Sequence, residues 1–182
     1  DLLTSDPIPP TTRLPFSKEE IKKVWEHQKE PWVDTVLILL YSGWRISELL
    51  NLKPEDINLQ AGTMKGGTKT KAGKDRVVPI HSKIRPLVEA RLAEGGPRLI
   101  SYNGRVCNQT QYRIFWADIM KALEMKHTPH ECRHTFETQL DSAGANRKCI
   151  DLLMGHVSKD TGNRVYNHKT LDELKATVEL IK

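Results

Sequence analysis

The amino-acid sequence predicts an α+β fold that is mainly α-helical and carries a small antiparallel β-sheet. Three observations predict it. Apolar residues recur at helical spacing along most of the chain, whereas short extended runs broken by Ala-Gly and Lys-Ala-Gly-Lys turns are confined to residues 56–80. Serine or threonine stands three residues before glutamate at two helix starts. Glycine, alone or after a short loop, punctuates the helical runs.

In order, "DLLTSDPIPPTTRLPF" is rich in Pro, Thr and Asp and lacks periodicity, which reads as a linker. Ser17 and Glu20 have capping-box spacing, and Ile21, Val24, Trp25 and Gln28 continue a helix that stops near Pro31. "WVDTVLILLY" is apolar enough to be a buried helix, ended by Gly43, and "RISELLNL" starts a short helix at Arg45, which places Arg45 on a tight corner. "DINLQ", "GTMKGGTKT" and "DRVVPI" supply the sheet. Helices resume in "SKIRPLVEARLAE" and "TQYRIFWADIMKAL", with "GGPRLISYNGRV" read as loop. Thr128 as N-cap and Pro129 in the first turn open a helix that Gly144 closes, and "NRKCIDLLM" is the next, ended by Gly155. A turn and a short helical segment bearing Tyr166 lead to a last helix over 170–182. Thr170 and Glu173 form its capping box, and Leu171, Leu174, Val178 and Ile181 form its apolar stripe.

Charge and composition narrow the function classes. Lys and Arg outnumber Asp and Glu by 28 to 23 and the pI is about 9.1, so a polyanionic partner fits without being required. The three cysteines, an odd number without C-x-x-C spacing, read as reduced core residues of an intracellular protein. No apolar run approaches the roughly 20 residues of a membrane span, and no secretory pattern opens the chain, so the expectation is a soluble, cytoplasmic protein.

One stretch offers two chemistries. "TPHECRHTF" contains His130-Glu-Cys-Arg-His134, the H-E-x-x-H spacing of helix-borne zinc peptidases, and also His130-x-x-Arg133, a pair suited to gripping a phosphate. Zinc is disfavoured, since Arg133 sets a permanent positive charge inside the turn that would hold the ion. On this helix Cys132, Phe136, Leu140 and Ala143 make the stripe expected to face the core. That leaves His130, Arg133, His134 and Glu137 on the other side or its flank, where a salt pair between Arg133 and Glu137 is the plain structural alternative.

Other motifs accompany this one in a fixed order: G-x-R-x-S-E-L at Gly43 to Leu49, K-T-x-x-G from Lys69, P-H-x-x-R-H-T-F at Pro129 to Phe136, L-x-G-H at Leu153 to His156, and V-Y-x-H at Val165 to His168. The sequence from Pro15 onward resembles the tyrosine recombinases, the phage-integrase type of site-specific DNA recombinase. The resemblance implies their catalytic-domain fold and a catalytic set of Arg45, Lys69, His130, Arg133, His156 and the nucleophile Tyr166. It implies strand cleavage through a 3′-phosphotyrosine and rejoining, without metal, ATP or other cofactor. Lys65, Lys71 and Lys74 lie close to Lys69 and compete with it for the role of general acid.

The residue types suit that chemistry. Guanidiniums give always-charged, bidentate contacts to the crowded oxygens of a phosphoryl transition state, and histidines add donors or a base. The implied partners are double-stranded DNA and further copies of the chain in a tetramer, with the C-terminal helix docking in trans on a neighbour; no membrane is involved. Residues 1–15 read as the linker from a missing N-terminal DNA-binding region and 16–182 as the catalytic domain. A type IB topoisomerase-like enzyme or resolvase is the nearest alternative; a zinc peptidase and an inert DNA-binding module are more remote.

Overall fold

The computed structural model describes residues 13–67, 73–156 and 168–182. An extended segment leads into α1 (Lys18–Glu26), whose capping box forms: Glu20 N donates to Ser17 Oγ at 3.1 Å and Ser17 N to Glu20 Oε1 at 2.9 Å. The central element is α2 (Val33–Ser42), in which every residue except Asp34 is buried, as an apolar circumference requires. It stops at Gly43 with φ +69°, and a β-carbon at Gly43 would overlap the Phe136 ring. Glycine therefore both turns the chain here and lets α2 close onto α6 (Pro129–Ser142), its main packing partner.

Arg45 is the N-cap of α3 (Ile46–Asn51), the corner that the sequence predicts. A three-stranded antiparallel sheet follows: β1 (Ile57–Asn58), β2 (Thr63–Gly66) and β3 (Arg76–Pro79), with Met64 opposite Val78 and Gly66 opposite Arg76. Next come α4 (Arg85–Glu94) and then, where a loop was expected, a two-stranded hairpin of β4 (Ser101–Tyr102) and β5 (Arg105–Val106). Asn103 and Gly104 turn it with φ +50° and +70°, the conformation that Asn-Gly favours between two strands. α5 (Gln109–Ala122), α6, α7 (Arg147–Met154) and α8 (His168–Val178) complete the described elements.

The core gathers Tyr41, Trp44, Leu49, Tyr112 and Phe136 around α2, and Cys107, Cys132 and Cys149 are all buried in it. The apolar stripe of α6 runs through Cys132, Phe136 and Leu140 but ends there: Ala143 is exposed. The last helix starts at His168, ahead of the predicted Thr170, and packs on α7 and β3 of its own domain. Leu174, Val178 and Ile181 are buried there. Polar bonds fasten the chain end: His81 Nε2 lies 2.8 Å from the Ile181 carbonyl, Tyr41 OH donates to the Lys182 carbonyl at 3.3 Å, and Ser82 N and Oγ donate to the Glu179 carboxylate at 2.7 and 2.8 Å. Docking in trans would require this face to leave its own domain.

Candidate active site

Arg133 organises the site. The helical pattern sets it on the side or flank away from the apolar stripe, yet it is only 3% exposed, and the exposed face with an Arg133–Glu137 pair is not formed. Glu137 is taken by Arg147 at 2.7 Å. The Arg133 guanidinium instead donates from Nη1 to the Gly43 carbonyl at 2.7 Å and from Nη2 to the Met154 carbonyl. Gly43 lies two residues before Arg45 and Met154 two before His156, so one fork joins the corner presenting Arg45 to the turn presenting His156. His130 lies one helical turn before Arg133 on α6. The structure thus brings together Arg45, His130, Arg133 and His156; Lys69 and Tyr166 lie outside the described residues.

Arg45 is fixed differently. Its Nη1 donates to Glu48 Oε1 at 3.0 Å, and its backbone N donates to Glu48 Oε2 at 3.0 Å. The same carboxylate receives a two-pronged bond from Arg76, Nη1 to Oε1 at 2.9 Å and Nη2 to Oε2 at 2.6 Å. Arg76 is 1% exposed, stacks over Trp44 at 4.3 Å, and donates from Nε to the Leu153 carbonyl at 3.0 Å. It ties β3 to the end of α7, and the approach is close: a β-carbon on Gly155 would stand 2.7 Å from Gly73 Cα and 3.2 Å from Arg76 Cδ. Neither Arg76 nor this use of Glu48 follows from the motif order. The available signal was strand alternation, which puts Arg76 on the same face as buried Val78, an unusual position for an arginine.

The electrostatics follow from this packing. Burial alone would raise the Glu48 pKa, but the bonds and charge of Arg76 and then Arg45 bring it down to about 2. Burial, with the charges of Arg45 and Arg76, lowers Arg133 to about 10, still charged at neutral pH. Both imidazoles fall below their ordinary value. For His130 the causes are burial and then Arg13, Arg133, Arg45 and His134; for His156, burial and Arg133, partly offset by Glu137 and Asp151. Arg45 and Arg76 share the Glu48 carboxylate, and Arg133 adds a third guanidinium beside two imidazoles held toward neutrality. Such a pocket suits an oxyanion that gains charge as it reacts.

A zinc site does not fit these positions. Glu131 turns away to His127, and among the described residues no group of three His, Cys, Asp or Glu side chains is arranged to hold a metal ion. No described helix is long and apolar enough to cross a membrane.

Fold and site together define a helical domain that gathers oriented arginines and histidines in one positively charged pocket. Residues 16–173 match the model of the phage integrase family. The chain belongs to that family. It is 35% identical over 190 residues to tyrosine recombinase XerA of Pyrococcus furiosus, covering 97% of this chain and 65% of the relative. It is 36% identical over 148 residues to tyrosine recombinase XerC of Pelobacter propionicus, covering 76% of this chain and 48% of the relative. The chain therefore spans from about half to about two thirds of the length of these curated relatives. Its fold is shared with a XerA recombinase crystal structure, at TM-score 0.70 and 24% identity over 95% of this chain and 66% of that one. It is shared also with the Tn1549 transposon integrase in complex with circular intermediate DNA, at TM-score 0.71 and 22% identity over 94% of this chain and 62% of that one.

Proposed function

We propose that this domain cuts and rejoins DNA strands as the catalytic part of a site-specific recombinase. The observation that carries the reading is the Arg133 fork, which fixes the Arg45 corner and the His156 turn about one pocket with excess positive charge. Family membership and the tyrosine recombinases among the relatives support it. Arg45 and Arg133 bind the non-bridging oxygens of the scissile phosphate. His130 and His156, biased toward neutral imidazole, each have one nitrogen to donate and one to accept; one assists deprotonation of Tyr166. The Tyr166 oxygen attacks phosphorus, the bond to the 5′ oxygen breaks, and Lys69 supplies the proton to the departing 5′-hydroxyl. The 3′-phosphotyrosine conserves the bond energy, and attack by a 5′-hydroxyl from another strand reverses the step.

On this reading the complete protein works as a tetramer on double-stranded DNA, and α8 leaves its own domain to dock on a neighbour during assembly. The decisive experiment incubates the protein with a nicked suicide duplex carrying candidate element ends. A covalent protein–DNA adduct that maps to Tyr166 and vanishes in Tyr166→Phe, with DNA affinity retained, is the expected result. An adduct of undiminished yield with the phenylalanine variant would remove Tyr166 from the mechanism.

A further inference from the structure

Arg13 lies outside every motif considered above and ahead of the residues that the family model matches. Its Nη1 stands 2.8 Å from His130 Nε2. A guanidinium can only donate, so Nε2 accepts, and the ring proton of a neutral His130 then sits on Nδ1.

The position of Arg13 is not accidental to a loose tail. Three residues on, Phe16 is buried, its N donates to Thr135 Oγ1 at 2.8 Å, and its ring stacks on His127 at 3.9 Å. His127 in turn is held between Glu20, at 2.8 Å, and Glu131. The entering segment is therefore pinned along α6, and Arg13 is confined to the neighbourhood of His130. Yet the charges acting on His130 are those of Arg133, Arg45 and His134 besides Arg13 itself, and the Glu48 carboxylate on Arg45 is already shared with Arg76. Adding an exposed guanidinium to them is repulsive unless an anion lies among them.

We propose that Arg13 is a further substrate-binding residue, which moves from His130 Nε2 onto the scissile DNA phosphate when that phosphate enters the pocket. This inference rests on the reading of the pocket as a phosphate site. The segment that enters the domain then supplies part of the site, and Arg13 holds His130 in a fixed tautomer until substrate takes its place.

The test titrates the 182-residue chain with inorganic phosphate, following the side chains of His130, Arg45 and Arg133 by NMR in wild type, Arg13→Gln and Arg13→Lys. Expected are perturbation of all three groups in wild type, phosphate affinity at least about threefold weaker in Arg13→Gln, and recovery of most of it in Arg13→Lys. Without phosphate, Arg13→Gln should raise the His130 pKa, because a neighbouring cation is gone. Equal phosphate affinity in wild type and Arg13→Gln overturns the proposal, even if the His130 pKa moves, while leaving the phosphate site intact. No perturbation of the three groups in wild type overturns both it and the phosphate reading beneath it.

Discussion

Replacing Glu48 by glutamine tests whether the buried carboxylate holds the arginines as the bond pattern implies. Glu48 accepts four bonds, two from Arg76 and two from Arg45, and its pKa falls from 4.5 to about 2. A depressed folded-state value stabilises the fold fully above the unfolded pKa and loses that contribution as pH falls toward the folded one. At about 1.4 kcal/mol per pKa unit, the shift corresponds to roughly 3 kcal/mol near neutrality. At pH 3 roughly 2 kcal/mol of it has gone. An amide does not titrate, so Glu48→Gln lacks this pH-dependent part.

The assay is urea denaturation of both proteins at pH 7 and pH 3. Other carboxylates titrate alike in both proteins, and the difference between them isolates Glu48. Wild type should exceed Glu48→Gln by about 3 kcal/mol or more at pH 7, and the gap should narrow by roughly 2 kcal/mol at pH 3. A gap of the same size at both values would refute the inference that Glu48 is charged and clamped, and Arg45 would then need another anchor.

Arg133→Lys should slow cleavage by at least about a hundredfold, because a single ammonium cannot reproduce the fork to the Gly43 and Met154 carbonyls; wild-type rates would return Arg133 to a structural role. Lys69→Ala should be severely impaired on normal DNA but nearly normal on a substrate with a 5′-bridging sulfur, which leaves without a proton. Equal impairment on both would point to Lys65, Lys71 or Lys74. Truncation after Lys169 removes three buried aliphatic side chains, Leu174, Val178 and Ile181, and should cost about 5 kcal/mol or more, enough to collapse the thermal melt. An unchanged melt would refute the packing of this helix on its own domain in the free chain.

Four of the six candidate site residues, Arg45, His130, Arg133 and His156, stand together in the structure, and their motifs could be read in chain order. Arg45 follows a glycine that ends a buried helix, and the histidine–arginine pair follows a Thr-Pro helix start, so motif and local structure agreed. The burial of Arg133 was not legible. Helical periodicity counts apolar residues, and it assigns a charged residue to solvent unless something else is known. What satisfies Arg133 is a pair of backbone carbonyls from two other elements, and carbonyls have no identity in a sequence. Arg76 escaped for a related reason: its partner Glu48 lies 28 residues away, across the sheet. The β4–β5 hairpin was legible and missed, since Asn103-Gly104 is the strongest two-residue hairpin signal. The apolar stripe of α8 was legible as a stripe; the surface it covers is a property of the folded domain.

The two ways of fixing an arginine have different consequences for catalysis. A carboxylate holds a guanidinium strongly but cancels its charge; a carbonyl holds it by a weaker bond and leaves the charge whole. Here the single carboxylate is shared. Glu48 takes both prongs of Arg76, which makes it close to neutral as a pair, and then orients Arg45 through oxygens already occupied. Arg133 has no carboxylate bound to its guanidinium among the described residues and is oriented by carbonyls alone. Burial and the charges of Arg45 and Arg76 lower Arg133, Glu48 and Glu137 offset this only in part, and on the proposed reading an entering phosphate would relieve the rest. If the proposed attack takes place here, negative charge growing on the phosphoryl oxygens would be stabilised by this positive charge more than the bound substrate is, which is the condition for faster chemistry rather than tighter binding alone. Arg76, which never needs to touch DNA, would serve that end by keeping Glu48 from neutralising Arg45.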